Sequence, residues 1–364
     1  MSSDEHVVKQ IKSFLTSKGF PDTYKDAYFL RRINVRIRKT KATDLVSYLS
    51  FLKSNPEELA SLKKDLSINV TKFFRDVESF KYFENVLVDY LKNHSKNQEK
   101  KPIRIWSAGC AVGAEPYSIA IMVDRAIRKY NLKNIEVKIN ATDFNDELLN
   151  FARKGVYDET YVEDVSPEIL QEYFEPTLDK TQYRIKYHVK KYIDFSHLDL
   201  TGTFPFKNLD VIVCRNVLIY FSSEAQFIIF KKYYDCLHTD GILFIGKTET
   251  MHLSYRGNFN NISPRHRVYL KVDPHDLDDE KMRKITVCSD CGISFTRDLD
   301  LKIHYKKHEK EKAKKTLEIA KLRGDKDILS CPHCSKTFIT QVRYNAHLNV
   351  FHKIIIPKDK RELF

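Results

Sequence analysis

Residues 107–120 read SAGCAVGAEPYSIA and complete an apolar run that begins at Ile103. A short apolar run predicts a buried strand, and Gly109 and Gly113 predict a turn directly after it. Pro116 suits the first turn of a helix. Glycines allow a ligand to approach the backbone closely, and a helix N-terminus favours negatively charged groups. The segment therefore predicts a strand, a turn and a helix, with a cofactor bound beside the turn.

Short apolar runs of the same kind recur between residues 100 and 272, separated by stretches with helical spacing. The further runs are Val137–Ala141, Leu209–Cys214, Ile242–Ile245 and Val268–Val272. This alternation predicts an α/β fold in which helices cover a parallel-type sheet. Residues 182–192, QYRIKYHVKKY, alternate roughly and are aromatic and basic. They predict either a small inserted antiparallel hairpin or an ordinary edge hairpin.

The chain before this region shows helical periodicity and no strand signal. Val7, Ile11, Phe14 and Leu15 recur at helical spacing. We therefore expect a helical domain over residues 1–75. An α/β domain over residues 76–272 follows, with a β-subdomain inserted at about 174–194.

Polar side chains follow two other predicted strands. The run at 137–141 leads into Asp143, whose carboxylate would lie beside the glycine turn and accept hydrogen bonds from a ribose diol. The alternative role for Asp143 is that of a helix N-cap. The run at 209–214 leads to Asn216 and Tyr220. Ligands bind at the carboxyl edge of an open α/β sheet, so these residues predict a binding site there.

Three segments resemble the CheR family of chemotaxis receptor methyltransferases. They are residues 69–76 (NVTKFFRD), the segment 107–120 and residues 214–221 (CRNVLIYF), in the family's order. The likeness covers about residues 5–272. It implies a Rossmann-like, S-adenosylmethionine-dependent methyltransferase domain with an inserted β-subdomain, joined to an N-terminal helical domain. It also implies methylation of glutamate side chains on methyl-accepting chemoreceptors, which yields glutamate methyl esters and sensory adaptation.

The resemblance also implies the roles of individual residues. Arg75 and Tyr220 would lie at the reacting methyl group. The residues expected to bind S-adenosylmethionine are Asn69, Thr71, Arg75, Glu115, Asp143, Asp199, Leu200, Asn216 and Val217. The chain departs from the family at residues 111–115, AVGAE, where relatives usually show STGEE, and relatives often have asparagine where Asp199 aligns.

Methyl transfer to a carboxylate needs little acid–base chemistry. A glutamate with a pKa of about 4.3 is already ionised at neutral pH, so no general base is required. Positioning in a water-poor site should dominate catalysis. Arg75 would orient the carboxylate through its planar guanidinium, or else tie the two domains together.

The C-terminal region carries two Cys-Cys-His-His units, predicted as ββα zinc fingers at residues 286–308 and 329–352. Residues 273–285 and 309–328 are the expected linkers. Each unit has two thiolates and two histidines at the spacing of a tetrahedral zinc site. The eight predicted ligands are Cys288, Cys291, His304, His308, Cys331, Cys334, His347 and His352.

The helix positions of the fingers that would face DNA bases include only two arginines, Arg297 and Arg343. Base reading by three residues per finger is therefore poor. The fingers are expected to bind protein, with nucleic acid as the alternative.

The formal charge of +13 is not confined to one domain. Residues 272–364 hold 20 Lys and Arg against 15 Asp and Glu, and the remaining 271 residues hold 42 against 34. The densest cationic patch includes Arg31, Arg32, Arg36 and Arg38. It is either a solvated helix face or a surface that docks the acidic methylation helices of a receptor.

No run of about 18 apolar residues and no secretory leader is visible, so we expect a cytoplasmic protein without membrane insertion. The alternative function is a zinc-finger DNA-binding regulator that retains a methyltransferase fold as a ligand sensor. Methylation of nucleic acid is disfavoured, because the chain lacks the Asn/Asp-Pro-Pro-aromatic motif of amino-methylating enzymes.

Overall fold

The computed structural model describes residues 3–20, 22–66, 71–96 and 101–272, together with Tyr305 and four two-residue strands further on. The chain divides into two compact units, Met1–Arg283 and Lys284–Phe364. In the described residues the helices are α1 Ser3–Ser17, α2 Asp26–Lys39, α3 Leu45–Ser54, α4 Pro56–Leu66, α5 Val77–Lys96, α6 Ala114–Lys129, α7 Asp146–Lys154, α8 Glu159–Val162, α9 Pro167–Tyr173, α10 Tyr187–Lys190 and α11 Ser223–Cys236.

The strands of the first unit form two sheets. They are β1 Ile103–Ala108, β2 Val137–Asp143, β3 Val156–Asp158, β4 Phe174–Pro176, β5 Gln182–Ile185, β6 Ile193–His197, β7 Leu209–Cys214, β8 Leu237–Ile245, β9 Phe259–Ser263 and β10 Val268–Lys271. Seven of them form the main sheet in the order β6-β2-β1-β7-β8-β10-β9. Strands β6, β2, β1, β7 and β8 run parallel, and β10 is antiparallel to both of its neighbours.

Helices α1 to α4 pack around their own apolar core. Ile11, Ile33, Tyr48 and Leu62 are fully buried in it. Helix α3 begins with a capping box, in which Asp44 accepts a hydrogen bond from the Ser47 N–H at 2.7 Å. The helical periodicity of the N-terminal region therefore corresponds to four helices, all within the expected domain.

The central strands β1 and β7 are buried on both faces of the main sheet, which is the reason they are almost continuously apolar. Ile105 in β1 belongs to one core cluster and its neighbour Trp106 to the other. Val211 and Ile212 in β7 divide in the same way. All five predicted apolar runs form strands of this sheet, so the α/β fold is confirmed.

A smaller antiparallel sheet in the order β3-β5-β4 forms a β-subdomain beside the main sheet. The predicted hairpin over residues 182–192 is wrong, because the strand ends at Ile185 and α10 follows. Ile185 and Val189, four residues apart, are buried while Tyr187 is 83% exposed. Lys190 Nζ also donates to the carbonyl oxygens of the last residues of α7. The burial of Val189 in α10 and these bonds outweigh the rough alternation of the sequence.

The second unit contains two short antiparallel pairs. Strand β11, Thr286–Val287, pairs with β12, Ser294–Phe295. Strand β13, Leu329–Ser330, pairs with β14, Thr337–Phe338. Each pair brackets one of the predicted cysteine pairs. The eight predicted zinc ligands and both predicted linkers lie outside the described residues. Within the described part of the chain, no helix is long and apolar enough to cross a bilayer.

Candidate active site

Strands β1, β2 and β7 are parallel neighbours, so the residues that follow them meet at one edge of the sheet. Two adjoining cavities lie at this edge and share Gly109, Asn216 and Val217. Predicted site residues that line the first cavity alone are Asp143, Asp199, Leu200 and Tyr220. Those that line the second cavity alone are Thr71, Arg75 and Glu115. Asn69 lies outside the described residues.

The glycine turn after β1 brings the backbone close to the cavity wall. Gly109 has a φ of +79°, and a Cβ at this position would lie 2.7 Å from Val217 Cγ2. The peptide N–H groups of Gly109 and Cys110 donate to the Thr142 carbonyl oxygen at 2.8 and 2.9 Å. Only glycine fits this approach without displacing Val217, a residue of both cavities.

Asp143 ends β2 and is bound to the glycine turn. Its carboxylate accepts hydrogen bonds from the peptide N–H groups of Ala111 and Asn145, both at 2.9 Å. The N-cap of α7 is Asn145, so the alternative of Asp143 as the cap is wrong. Burial raises the pKa of Asp143, and the backbone hydrogen bonds oppose that rise. Each carboxylate oxygen keeps acceptor capacity for a ligand hydroxyl.

Glu115, in the first turn of α6, is a half-buried carboxylate that lines the second cavity. The Ser107 hydroxyl donates to it at 2.7 Å. Burial raises the pKa of Glu115 to about 7, and the positive charge of Arg215 opposes that rise. A cationic group bound in this cavity would favour the ionised form of Glu115.

Asn216 has an unsatisfied acceptor in the wall of both cavities. Its backbone is left-handed, with a φ of 60°. Its side-chain Oδ1 is buried and accepts no hydrogen bond from any described residue. A buried acceptor left in this state costs about 1–3 kcal/mol, which a donor on a bound ligand would recover. S-adenosylmethionine carries such donors, and the close approach at Gly109 suits the same ligand.

Glu249, which sequence reasoning missed, holds the loop that carries Asn216. The carboxylate is 2% exposed and accepts hydrogen bonds from four peptide N–H groups. The donors are Asn216 at 2.9 Å, Val217 at 2.8 Å, Leu218 at 2.7 Å and Gly246. Its position after β8, at the same sheet edge, is the signal that could have indicated it.

Arg215 fixes the segment that carries Arg75. Its guanidinium donates to the Arg75 carbonyl oxygen at 2.8 Å and to Asp76 Oδ2 at 2.6 Å. Phe74 and Asp76, on either side of Arg75, have φ angles of 51° and 63°. Such left-handed residues persist only where surrounding contacts hold them. The hydrogen bonds that hold residues 75–76 are therefore made by Arg215. The Arg75 side chain lines the second cavity.

Tyr220 connects the first cavity to the helical domain. Its ring centroid lies 4.9 Å from that of Tyr28 in α2. Burial raises the pKa of the Tyr220 hydroxyl, and the nearby charges of Arg75, Arg32 and Arg31 oppose that rise. The guanidinium carbons of Arg31 and Arg32 lie 5.7 and 5.3 Å from the Tyr28 ring centroid, which places positive charge near Tyr220.

The predicted cationic patch is smaller than the sequence indicated. Arg36 faces the helical core, where it donates to Glu58 at 2.6 and 2.9 Å and to Asp65 at 3.2 Å. Its side chain is only 13% exposed, so its assignment to a docking surface is wrong. Arg31 and Arg38 are exposed, and Arg32 is half-buried against Tyr28.

Together the fold and the two adjoining cavities are those of an S-adenosylmethionine-dependent methyltransferase. Residues 69–268 match the family described as "CheR methyltransferase, SAM binding domain". Residues 21–67 match "CheR methyltransferase, all-alpha domain". The chain belongs to the CheR methyltransferase family, as its three motifs implied, and S-adenosylmethionine is its cofactor.

Similar proteins include chemotaxis methyltransferases from several bacteria. The chain is 36% identical over 221 residues to the chemotaxis protein methyltransferase of Borreliella burgdorferi, covering 60% of this chain and 76% of that protein. It is 32% identical over 245 residues to the corresponding Escherichia coli protein, covering 65% and 80%. An uncharacterised 104.1 kDa protein of Rhodobacter capsulatus is 33% identical over 267 residues, or 73% of this chain, which spans only 27% of that protein's length.

Two further segments, residues 286–308 and 329–352, match the family described as "Zinc finger, C2H2 type". Each segment contains two cysteines and at least two histidines, which supply the donor set of a structural zinc site. Zinc is therefore the second cofactor of the chain. Which of these side chains bind each ion stays a prediction.

Proposed function

We propose that the chain transfers a methyl group from S-adenosylmethionine to glutamate side chains of chemoreceptors, which forms glutamate methyl esters and supports sensory adaptation. The observation that carries the proposal is the positive charge near Tyr220. Arg31 and Arg32 lie over the Tyr28 ring that packs against Tyr220, and Arg75 lines the adjoining cavity. Positive charge at this position favours an anionic acceptor such as a carboxylate. The names of the bacterial relatives support the same process.

The bound cofactor supplies a methyl group on a positively charged sulfur. The protein has to hold a carboxylate against that group and exclude water. The acceptor needs no base, because glutamate is ionised at neutral pH. Arg75 would orient the acceptor through two parallel hydrogen bonds, and Tyr220 would close the opposite side. Approach of two opposite charges in a water-poor cavity favours their mutual neutralisation in the transition state.

We assign the adenosine part of the cofactor to the first cavity and the methionine part to the second. Asp143 would bind the ribose hydroxyls, and Asp199 and Leu200 the adenine. Asp199 Oδ1 already accepts from the Thr201 peptide N–H and hydroxyl, both at 2.8 Å, so its Oδ2 would face the base. The methionine part would contact Asn69, Thr71, Arg75 and Glu115, and Asn216 and Val217 would contact both parts.

The substrate would dock on the helical domain. An acidic receptor helix would contact the members of the cationic patch other than Arg36, which are Arg31, Arg32 and Arg38. The zinc fingers would hold a protein partner and so raise the local receptor concentration, since a second contact makes docking intramolecular. Because receptor methylation helices lie in the cytoplasm, the proposal includes a cytoplasmic location. We also propose the domain limits that the sequence predicts, with the helical domain over residues 1–75 and the α/β domain over residues 76–272.

The test is transfer of a labelled methyl group to a receptor cytoplasmic fragment. Wild-type protein should label the fragment, and Arg75→Lys should do so about tenfold to a hundredfold more slowly, because a lysine cannot bind a carboxylate in two parallel bonds. S-adenosylhomocysteine affinity and thermal unfolding are measured on both proteins. A DNA-binding regulator would bind the cofactor and label nothing. A proportional loss of stability and turnover in Arg75→Lys would instead assign Arg75 a structural role.

A further inference from the structure

Tyr24 of the helical domain lines the first cavity together with Asp143 and Asp199, which belong to the other domain. It lies in the segment between α1 and α2, far from all three family motifs in sequence. A tyrosine in this wall supplies a hydroxyl that can both donate and accept a hydrogen bond.

The backbone around Tyr24 is fixed to the loop that carries Tyr220. The Lys25 N–H donates to the Tyr220 carbonyl oxygen at 3.0 Å, and the Ser222 N–H donates to the Thr23 carbonyl oxygen at 2.8 Å. Lys25 Nζ also donates to the Ile219 carbonyl oxygen at 2.7 Å. These bonds hold Tyr24 as part of the cavity wall.

Two other aromatic rings stack against the Tyr24 ring. Phe20 stacks on it with a centroid distance of 5.6 Å and an interplanar angle of 16°. Phe221 stacks with a distance of 5.4 Å and an angle of 15°. The stacking contacts of this ring are therefore made within the protein. What Tyr24 can offer to a ligand is its edge and its hydroxyl.

The hydroxyl is available for a ligand. It donates a hydrogen bond to no residue that the structure describes, and Tyr24 is half-buried in the cavity wall. Burial raises the pKa of Tyr24, and the charges of Tyr28, Asp143 and Asp199 raise it further. The group therefore stays protonated and able to donate at neutral pH.

We propose that Tyr24 is a cofactor-binding residue, whose hydroxyl donates a hydrogen bond to the adenosine part of S-adenosylmethionine. The helical domain then completes the cofactor site as well as docking the substrate. This inference rests on the proposed placement of adenosine in the first cavity, but it is independent of which substrate is methylated.

The test is calorimetric binding of S-adenosylhomocysteine to Tyr24→Phe in the full chain. The variant keeps both stacking contacts and loses only the hydroxyl. We expect affinity to fall about threefold to tenfold, as for the loss of one hydrogen bond, with thermal unfolding unchanged or at a higher temperature. The affinity for 5′-methylthioadenosine, which lacks the amino acid part, should fall by the same factor.

Tyr48→Phe is the matched control. Tyr48 is buried in the same domain, and its hydroxyl donates to Glu58 at 2.7 Å, away from both cavities. Its removal should lower the unfolding temperature and leave affinity unchanged. If Tyr24→Phe binds both ligands with wild-type affinity, the inference is overturned. This holds even if the variant has a higher KM for receptor. Failure of wild-type protein to bind S-adenosylhomocysteine would instead contradict the cofactor assignment itself.

Discussion

At the scale of single residues, the motifs predicted which side chains would meet because those side chains follow strands that end at one sheet edge. Asp143 and Asn216 are 73 positions apart in sequence and line the same cavity. The sequence did not indicate the role of Glu249, and it wrongly placed Arg36 on a docking surface. The partners that decide their roles are distant in sequence and carry no spacing signal: four peptide N–H groups for Glu249, and Glu58 and Asp65 for Arg36.

Glu249 should position the cofactor-binding loop. In Glu249→Gln an amide N–H₂ group replaces one acceptor oxygen. This group cannot accept hydrogen bonds from the peptide N–H groups that face it. Hydrogen bonds to a charged group contribute about 1.5–3 kcal/mol each, so we expect S-adenosylhomocysteine affinity to fall at least about tenfold in calorimetry. The KM for the cofactor should rise in parallel.

Glu58→Gln is the control for Glu249→Gln, since Glu58 is a 5% exposed carboxylate in the helical core. It should lower the unfolding temperature without changing cofactor affinity. If both variants lose only stability, Glu249 supports the fold and does not position the loop.

At the scale of elements, the runs in β1 and β7 predicted strands because these strands are buried on both sheet faces, which leaves a nearly continuous apolar signal. The segment 182–192 lacked that signal. Its rough alternation concealed the helical turn around the buried Val189, which is held by contacts with α7 that sequence cannot show. The antiparallel β10 at the far side of the sheet was likewise not distinguishable from a parallel strand by its composition.

Helix α2 should contribute to substrate docking through its exposed charges alone. The double variant Arg31→Glu, Arg38→Glu should raise the KM for receptor about fivefold at low salt and flatten its salt dependence. Cofactor affinity should not change, because Arg31 and Arg38 are not among the residues lining either cavity. Steady-state kinetics over a range of salt concentrations measures both effects.

Lys133→Glu, Lys207→Glu is the matched double reversal for α2. Both lysines are exposed and precede β2 and β7, at the amino edge of the sheet opposite the site. It changes the net charge by the same amount and should leave the KM for receptor near the wild-type value. An equal effect of the two double variants would reduce the role of α2 to net charge.

At the scale of the whole molecule, the site is shared between two domains of one compact unit. The α/β domain supplies the glycine turn, Asp143 and Asn216, and the helical domain supplies Tyr24 to the cavity wall and Arg31 and Arg32 beside Tyr28. The sequence predicted both domains, but it did not predict that the helical domain would form part of the cavity wall. That contact depends on backbone hydrogen bonds between segments about 200 residues apart, which no local pattern encodes.

The chemical identity of the product tests the central claim most directly. A receptor cytoplasmic fragment is incubated with the full chain and S-adenosylmethionine, and the modified residues are located by mass spectrometry before and after mild base. We predict methyl groups on glutamate side chains that base removes, as expected for carboxyl esters. Methyl groups that survive base on lysine or arginine nitrogen, with unmodified glutamates, would contradict the account.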